Sequence, residues 1–260
     1  MADARLALLY RNLALDATWS ASSQVSTLPA RHLATPVRGE PWRSTGCAGE
    51  WVKAQLPQAA TVGAVAVVAS NLQPNATVLI QGSATDEWST PFEAPLVPWE
   101  ARHTRTVWKL LDAPQSFPWW RFYFEDPTNP TGYIQIGVLA FGPVLDFGEA
   151  PEPIAYRRID PSVVGVTDSQ TPHRYRKDAI TEVTLPLGLL TQAMAVDGLA
   201  EAFEDLGQST DGVLSVFATS PAQDELAKRL NVYGSLVNPL ELGYEHVHHW
   251  RGSLVFRESL

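Results

Sequence analysis

Cysteine is nearly missing from this chain of 260 residues: Cys47 stands alone, so no internal disulfide and no cysteine-based zinc site can form. Charge is sparse, at 18% of residues, and leans acidic, with a net charge of −9. Nucleic-acid affinity comes largely from clustered Lys and Arg that neutralise phosphates; the basic residues here are scattered, which argues against such a partner. No apolar run approaches the roughly 20 residues of a membrane span, so no membrane insertion is expected. Behind Met1-Ala2-Asp3-Ala4-Arg5 there is no extended hydrophobic core with a small-residue cleavage site, and the expectation is a soluble protein synthesised in a cytoplasm. Catalytic signatures are missing too: no Gly-rich phosphate loop, no nucleophile elbow, no HExxH and no dense carboxylate pair. The chain reads as a non-enzyme with no cofactor and no resident metal.

What the chain has in quantity is tryptophan, nine in all, eight of them before residue 121. Each aromatic ring can bury about 150 to 250 Å², so a Trp-rich β domain can be well cored. From Thr18 to Phe141, short apolar or β-branched runs alternate with Pro, Gly, Asn and Ser clusters, the mark of many short strands. The runs are Thr18 to Ser22, Trp51 to Leu56, Thr61 to Ala69, Ala76 to Gly82, Thr106 to Leu111, Trp119 to Glu125 and Tyr133 to Phe141. Val62 to Val68 is apolar on both faces, as a strand between two layers must be. In Trp119 to Phe124, by contrast, Trp120, Phe122 and Phe124 share one face and Trp119, Arg121 and Tyr123 the other.

Between Gly142 and Pro161, four prolines and several acidic residues read as a linker, which places a boundary near residue 150. The expected fold is mainly β: a jelly-roll sandwich over 1–150 and an α+β unit over 151–260, a small barrel or sheet with one main helix. That helix is expected over Leu189 to Leu206, on the spacing of Leu190, Met194, Val196, Leu199, Phe203 and Leu206, with Gly207 as its cap. Arg174 to Leu185 alternates as a strand, Val213 to Ala218 and Asn231 to Val237 read as strands, and Pro221 to Arg229 as a short helix. Leu240 to His246 and Trp250 to Glu258 are expected to pair across a turn.

Candidate sites are few. A strand would put His246 and His248 on one face, within reach of a shared metal, yet Glu245 would point away. Asp126-Pro127-Thr128-Asn129-Pro130-Thr131-Gly132 is rich in oxygen side chains and resembles a calcium loop, but its prolines and glycine make it first a turn with local bonds. Sugars are held by flat apolar rings beside a few polar groups, and the loop residues Trp88 with Asp86 and Trp99 with Arg102 are the candidate ligand-binding groups. Trp42 and Trp51, each beside a strand signal, read as structural.

The first half resembles the discoidin, or coagulation factor 5/8 type C, family of galactose-binding-like jelly rolls. The likeness rests on Asn12-Leu13-Ala14, Ala17 to Ser23, Pro29 to Leu33, Trp42-Arg43-Ser44, Glu50 to Leu56, Thr61 to Val68 and the closing Ile134 to Gly142. The family often has an acidic residue where Thr35 stands, and paired terminal cysteines that this chain lacks. The resemblance implies ligand binding at loop tips. Joined to Tyr156 to Pro161, Asn231 to Leu236 and Trp250 to Glu258, the whole resembles phage tail-tip proteins, and the last hundred residues resemble the belt domain of distal tail proteins, a split barrel with a helix. That implies a virion protein of a tail tip or baseplate, assembled in the host cytoplasm. Its partners would be itself, as a ring homo-oligomer, and other tail proteins, with the sandwich facing outward toward cell-surface glycan. Trp250, Leu254 and Phe256 on the closing strand are then the expected subunit contacts. A stand-alone carbohydrate-binding module with an accessory domain, and a hydrolase with an unrecognised site, are the rival readings.

Overall fold

A computed structural model describes residues 5–98, 106–149, 154–166, 172–218, 230–246 and 249–259. The chain is mainly β, as the alternation predicts. Two strands dominate the first half: β4 (Glu50–Ser70) and β7 (Thr106–Glu125). Each fuses two of the expected runs, bending where their shared ladder shifts register between Gln55 and Ala60 and again between Val62 and Ala64. Both therefore pass from one layer of a sandwich into the other. The front layer joins β2 (Thr18–Ala21), the first half of β4, the second half of β7, β5 (Thr77–Ser83) and β6 (Phe92–Leu96). The back layer joins β3 (Trp42–Arg43), β8 (Gln135–Gly142), the second half of β4 and the first half of β7. β6 has no counterpart in the sequence reading; it is an edge strand carrying Pro95, which an edge tolerates and a strand pattern hides.

Side-chain alternation sends Val52, Ala54 and Leu56, then Val62, Val65 and Val67, into the space between the layers, with Trp42, Trp120, Phe122, Phe124 and Phe141. The rings interlock, Phe122 and Phe141 at 5.4 Å and Trp42 and Phe124 at 6.0 Å between centroids. The two indoles of this core keep a partner for their N–H, Trp42 donating to the Ser23 carbonyl at 3.2 Å and Trp120 to that of Phe117 at 3.1 Å. Without those bonds, each buried N–H would cost about 1 to 3 kcal/mol.

The second sheet does not begin at residue 151. β1 (Arg5–Leu9) and β9 (Val144–Glu149), on either side of the sandwich in sequence, both belong to it. The stretch read as a linker is thus partly a strand, and the sandwich is an insertion between two strands of the other unit. The remaining members are β10 (Ala155–Ile159), β13 (Ile180–Thr191), β14 (Gly212–Ser215), β15 (Asn231–Leu236), β16 (Leu242–His246) and β17 (His249–Glu258). Their order is β10-β13-β17-β15-β14-β1-β9, with β16 paired to β17 as expected. β11 (Val163–Val166) and β12 (Pro172–Tyr175) form a separate ribbon.

β9 and β10 lie at opposite ends of that order, yet only five residues separate Glu149 from Ala155. Such a connection reaches about 21 Å, whereas a flat sheet of this order would hold them roughly 29 Å apart. The sheet must curl into a barrel split between β9 and β10. Its interior holds Leu6, Leu8, Val183, Leu185, Leu214, Val232, Leu254 and Phe256. The helix leans on the split: a widened π-turn, Ala193–Leu199, touches both β9 and β13 and leads into α1 (Ala200–Leu206). It starts later than expected because β13 continues through Leu190 to Thr191. The buried stripe is Ala195, Leu199, Ala202 and Leu206, while Val196 is exposed. Gly207 caps the end at φ +51°, its N–H donating to the Phe203 carbonyl.

Sandwich and barrel share a third core. Ala64, Ala66 and Val68 of β4, with Val138 and Ala140 of β8 and Trp108 of β7, pack on Ala7 and Leu9 of β1, Val213 and Tyr233. The run Val62 to Val68 is buried on both faces for this reason. The Tyr233 hydroxyl donates to the Pro36 carbonyl at 3.0 Å, and Arg38 to that of Ser259 at 2.8 Å. Burial drives the Tyr233 phenol far above its ordinary range, so it stays a neutral donor at this junction.

Candidate binding face

The outer side of the sandwich's front layer carries the other half of the alternation. Residues directly opposite across an antiparallel ladder share a face, and the ladders here align Trp51 with Tyr123, Lys53 with Arg121 and Gln55 with Trp119. β5 continues all three rows, Leu79 beside Tyr123, Gln81 beside Arg121 and Ser83 beside Trp119. Trp51, Trp119 and Tyr123 are all half-buried, with ring surface open to solvent. The turn after β5 adds Trp88, also half-buried, and Asp86.

Charged groups fix these rings. The Lys53 ammonium donates to both Asp86 carboxylate oxygens at 2.7 Å and stands 5.3 Å from the Trp51 ring centre and 5.7 Å from that of Trp119. The Arg121 guanidinium lies 4.5 Å over the Trp88 ring and donates to Gln81 Oε1 at 2.6 Å, while Gln81 Nε2 donates to Glu93. Trp88 Nε1 donates to Asp86 Oδ1 at 2.8 Å. Cation–ring contacts of this kind contribute about 0.5 to 1 kcal/mol each at exposed sites. Together they hold three aromatic side chains, Trp51, Trp119 and Trp88, beside charged groups of which Asp86 stays exposed.

The Lys53 hydrogen bonds lower the Asp86 carboxyl below the usual aspartate range, and the Trp88 indole adds to this. The Tyr123 phenol is raised, first by its hydrogen bond to Glu125 and then by burial. Burial lowers Arg121, yet a guanidinium stays charged at neutral pH. The face therefore offers fixed charge and flat apolar rings, the chemistry that holds a sugar ring by its C–H side and its hydroxyls by hydrogen bonds.

Of the expected ligand-binding residues, Trp88 and Asp86 stand on this face, while Trp99 and Arg102 lie outside the described residues. Trp42 is structural, at 0% exposure, but Trp51 is not: it sits half-open opposite the core. The alternation of Val52, Ala54 and Leu56 already put Trp51 on the other side. Two of the expected subunit contacts, Leu254 and Phe256, turn inward. Leu254 and Phe256 are each 1% exposed in the barrel's own core, and Trp250 packs half-buried against it, edge-to-face with Tyr244 at 5.3 Å. β17 is flanked by β13 and by β15 and β16 along its length, so it has no free edge to offer a neighbour.

The metal readings fall differently. His248 lies outside the described residues, among which no group of three or more His, Cys, Asp or Glu converges. In the Asp126 loop, Asp126 is 0% exposed. Its Oδ2 accepts from the Gln73 backbone N–H and from Asn129 Nδ2, and Asn129 Oδ1 accepts from the Thr131 N–H and hydroxyl. The oxygens that would ligate calcium are engaged in closing the turn, apart from a buried, unpartnered Asp126 Oδ1.

No family model and no curated protein matches the chain. Solved structures similar to it include the family 32 carbohydrate-binding module of C. perfringens NanJ in complex with galactose, 16% identical, covering 50% of this chain and 97% of that one at TM-score 0.42. Another is chitosan-binding module 2 of a Paenibacillus sp. IK-5 chitosanase/glucanase in complex with chitotriose, 18% identical over 51% and 100%, at 0.41. A third is a His 62 mutant of the lectin binding domain of Lectinolysin complexed with Lewis b, 14% identical over 51% and 96%, at 0.41.

Proposed function

We propose that the chain is a non-catalytic subunit of a phage tail tip or baseplate, in which the split barrel serves assembly and the sandwich displays a carbohydrate-binding face. The observation that carries this is the polarity of the sandwich. Its back layer is committed, through Ala64, Ala66, Val68, Val138 and Ala140, to the barrel wall; its front layer faces solvent with Trp51, Trp119, Tyr123 and Trp88 held by Lys53, Asp86 and Arg121. Insertion between β1 and β9 tethers it at both ends. That supports rigid display on a scaffold over an accessory module on a flexible linker.

Affinity electrophoresis through a panel of soluble polysaccharides tests the glycan part. Retardation by at least one polysaccharide, abolished by Trp51→Ala with Trp119→Ala, is the expected result. A variant retarded as strongly as the parent would remove this face from the proposal. Imaging of assembled particles with an antibody to the chain tests the virion part, and label absent from the tail end would refute it.

A further inference from the structure

Among the described residues, β11 and β12 pair only with each other. A two-stranded ribbon is at best marginally stable alone in water, and among the described residues this one has no covering layer: Val163 is 57% exposed, Val164 65% and Tyr175 62%. Val163 stands opposite Tyr175 across the ladder and Val164 opposite Arg174, so apolar groups occupy both faces. The ribbon is also basic within an acidic chain, with His173, Arg174, Arg176 and Lys177 all exposed. Beside its root, Arg157 and Arg257 converge on the buried Glu182, two cations on one anion.

The complementary surface is on the same chain. The helix over the barrel's split presents Asp197, Glu201, Glu204 and Asp205 to solvent, with Val196 exposed among them at 43%. It offers four carboxylates and an exposed valine, matching the ribbon face on which Val164 stands beside Arg174. The ribbon's side chains are exposed within their own chain, so they do not already cover that helix.

We propose that the β11–β12 ribbon docks on the acidic helix face of a second copy of this chain. Because the two surfaces differ, the contact is heterologous and repeats head to tail, giving a ring if the rotation closes and a filament otherwise. Opposite charge speeds and orients the encounter, while burial of Val164, on the face that carries Arg174, supplies the apolar area. This rests on the assembly reading above and replaces the closing strand with the ribbon as its contact.

Sedimentation equilibrium of the full chain tests it, with polysaccharide retardation and thermal melting as controls for folding. The parent is expected to associate. Arg174→Glu with Arg176→Glu, or Glu201→Lys with Glu204→Lys, should each weaken association at least tenfold, and mixing the two variants should restore a complex between them. Val163→Ser with Val164→Ser should weaken it without altering charge. A parent that stays monomeric at every concentration would overturn both this contact and the assembly reading. Association unmoved by the ribbon and helix variants, with melting unchanged, would overturn this contact alone, as would reversed variants that fail to recombine.

Discussion

The two ends of β4 are built from one alternation and serve opposite purposes. Beyond the bend, Ala64, Ala66 and Val68 are small, apolar and fully buried against the barrel. Before it, Trp51, Lys53 and Gln55 are large, polar-tipped and open. Small residues let two sheets approach and exclude water, which makes a permanent junction. Aromatic rings held by cations stay half-exposed at the surface, which suits a partner that comes and goes. Side-chain size on the outward positions, more than hydrophobicity alone, separates the two halves of the strand.

Charge placed on each half breaks this comparison most severely. Ala66→Glu puts an unpaired carboxylate between the units and should destabilise by about 3 to 5 kcal/mol in denaturant titration. Gln55→Glu, on the open half, should stay within about 0.5 kcal/mol. Next come the neighbours Trp120 and Trp119. Trp120→Ala empties the sandwich core and should cost about 3 to 5 kcal/mol, whereas Trp119→Ala should cost under about 1 kcal/mol and remove polysaccharide retardation. Similar losses from the two substitutions would erase the distinction between faces. Exchanging Lys53 for Met keeps the packing length but releases Asp86 and Trp88, and a several-fold weaker retardation with an unchanged melting temperature is expected.

The smallest effect is with pH. Asp86 has a depressed folded-state pKa, so its contribution is fully present above the ordinary aspartate value and fades as pH falls through the lower folded value. Tryptophan emission from the open face should hold steady from neutral pH down through the ordinary aspartate range and change only in stronger acid. Asp86→Asn should abolish that acid step. A step near neutral pH would point to another group.

Much of the sandwich was legible because its pattern is local. Val62 to Val68 announced burial on both sides, and Trp119 to Phe124 divided into core and outer residues as the alternation required. What escaped depends on distant partners. β9 sits among prolines and acidic residues and reads as a linker; its strand character comes from pairing with β1, some 140 positions earlier. Leu254 and Phe256 looked like interface residues because apolar strands suit both an exposed contact and a central position; the flanking ladders of β13 and β15 decide for the centre. Of the expected helix stripe only Val196 is exposed: Leu190, Leu199 and Leu206 are buried and Met194 and Phe203 pack against the same core, with Ala195 and Ala202, too small to stand out in the pattern, completing the face. On the candidate face, Trp88 and Asp86 were found from their loop, while Lys53, Arg121 and Trp119 joined them only through register across β4, β7 and β5.

The most direct measurement is chemical-shift or hydrogen-exchange mapping of the whole chain with the polysaccharide that retards it. Protection confined to the outer positions of the front layer, at Trp51, Lys53, Trp119, Arg121 and Tyr123, with the back layer and barrel unchanged, is the expected pattern. Protection centred on the loop tips or on the barrel, with those five positions unaffected, would contradict the division of the sandwich into one committed face and one binding face.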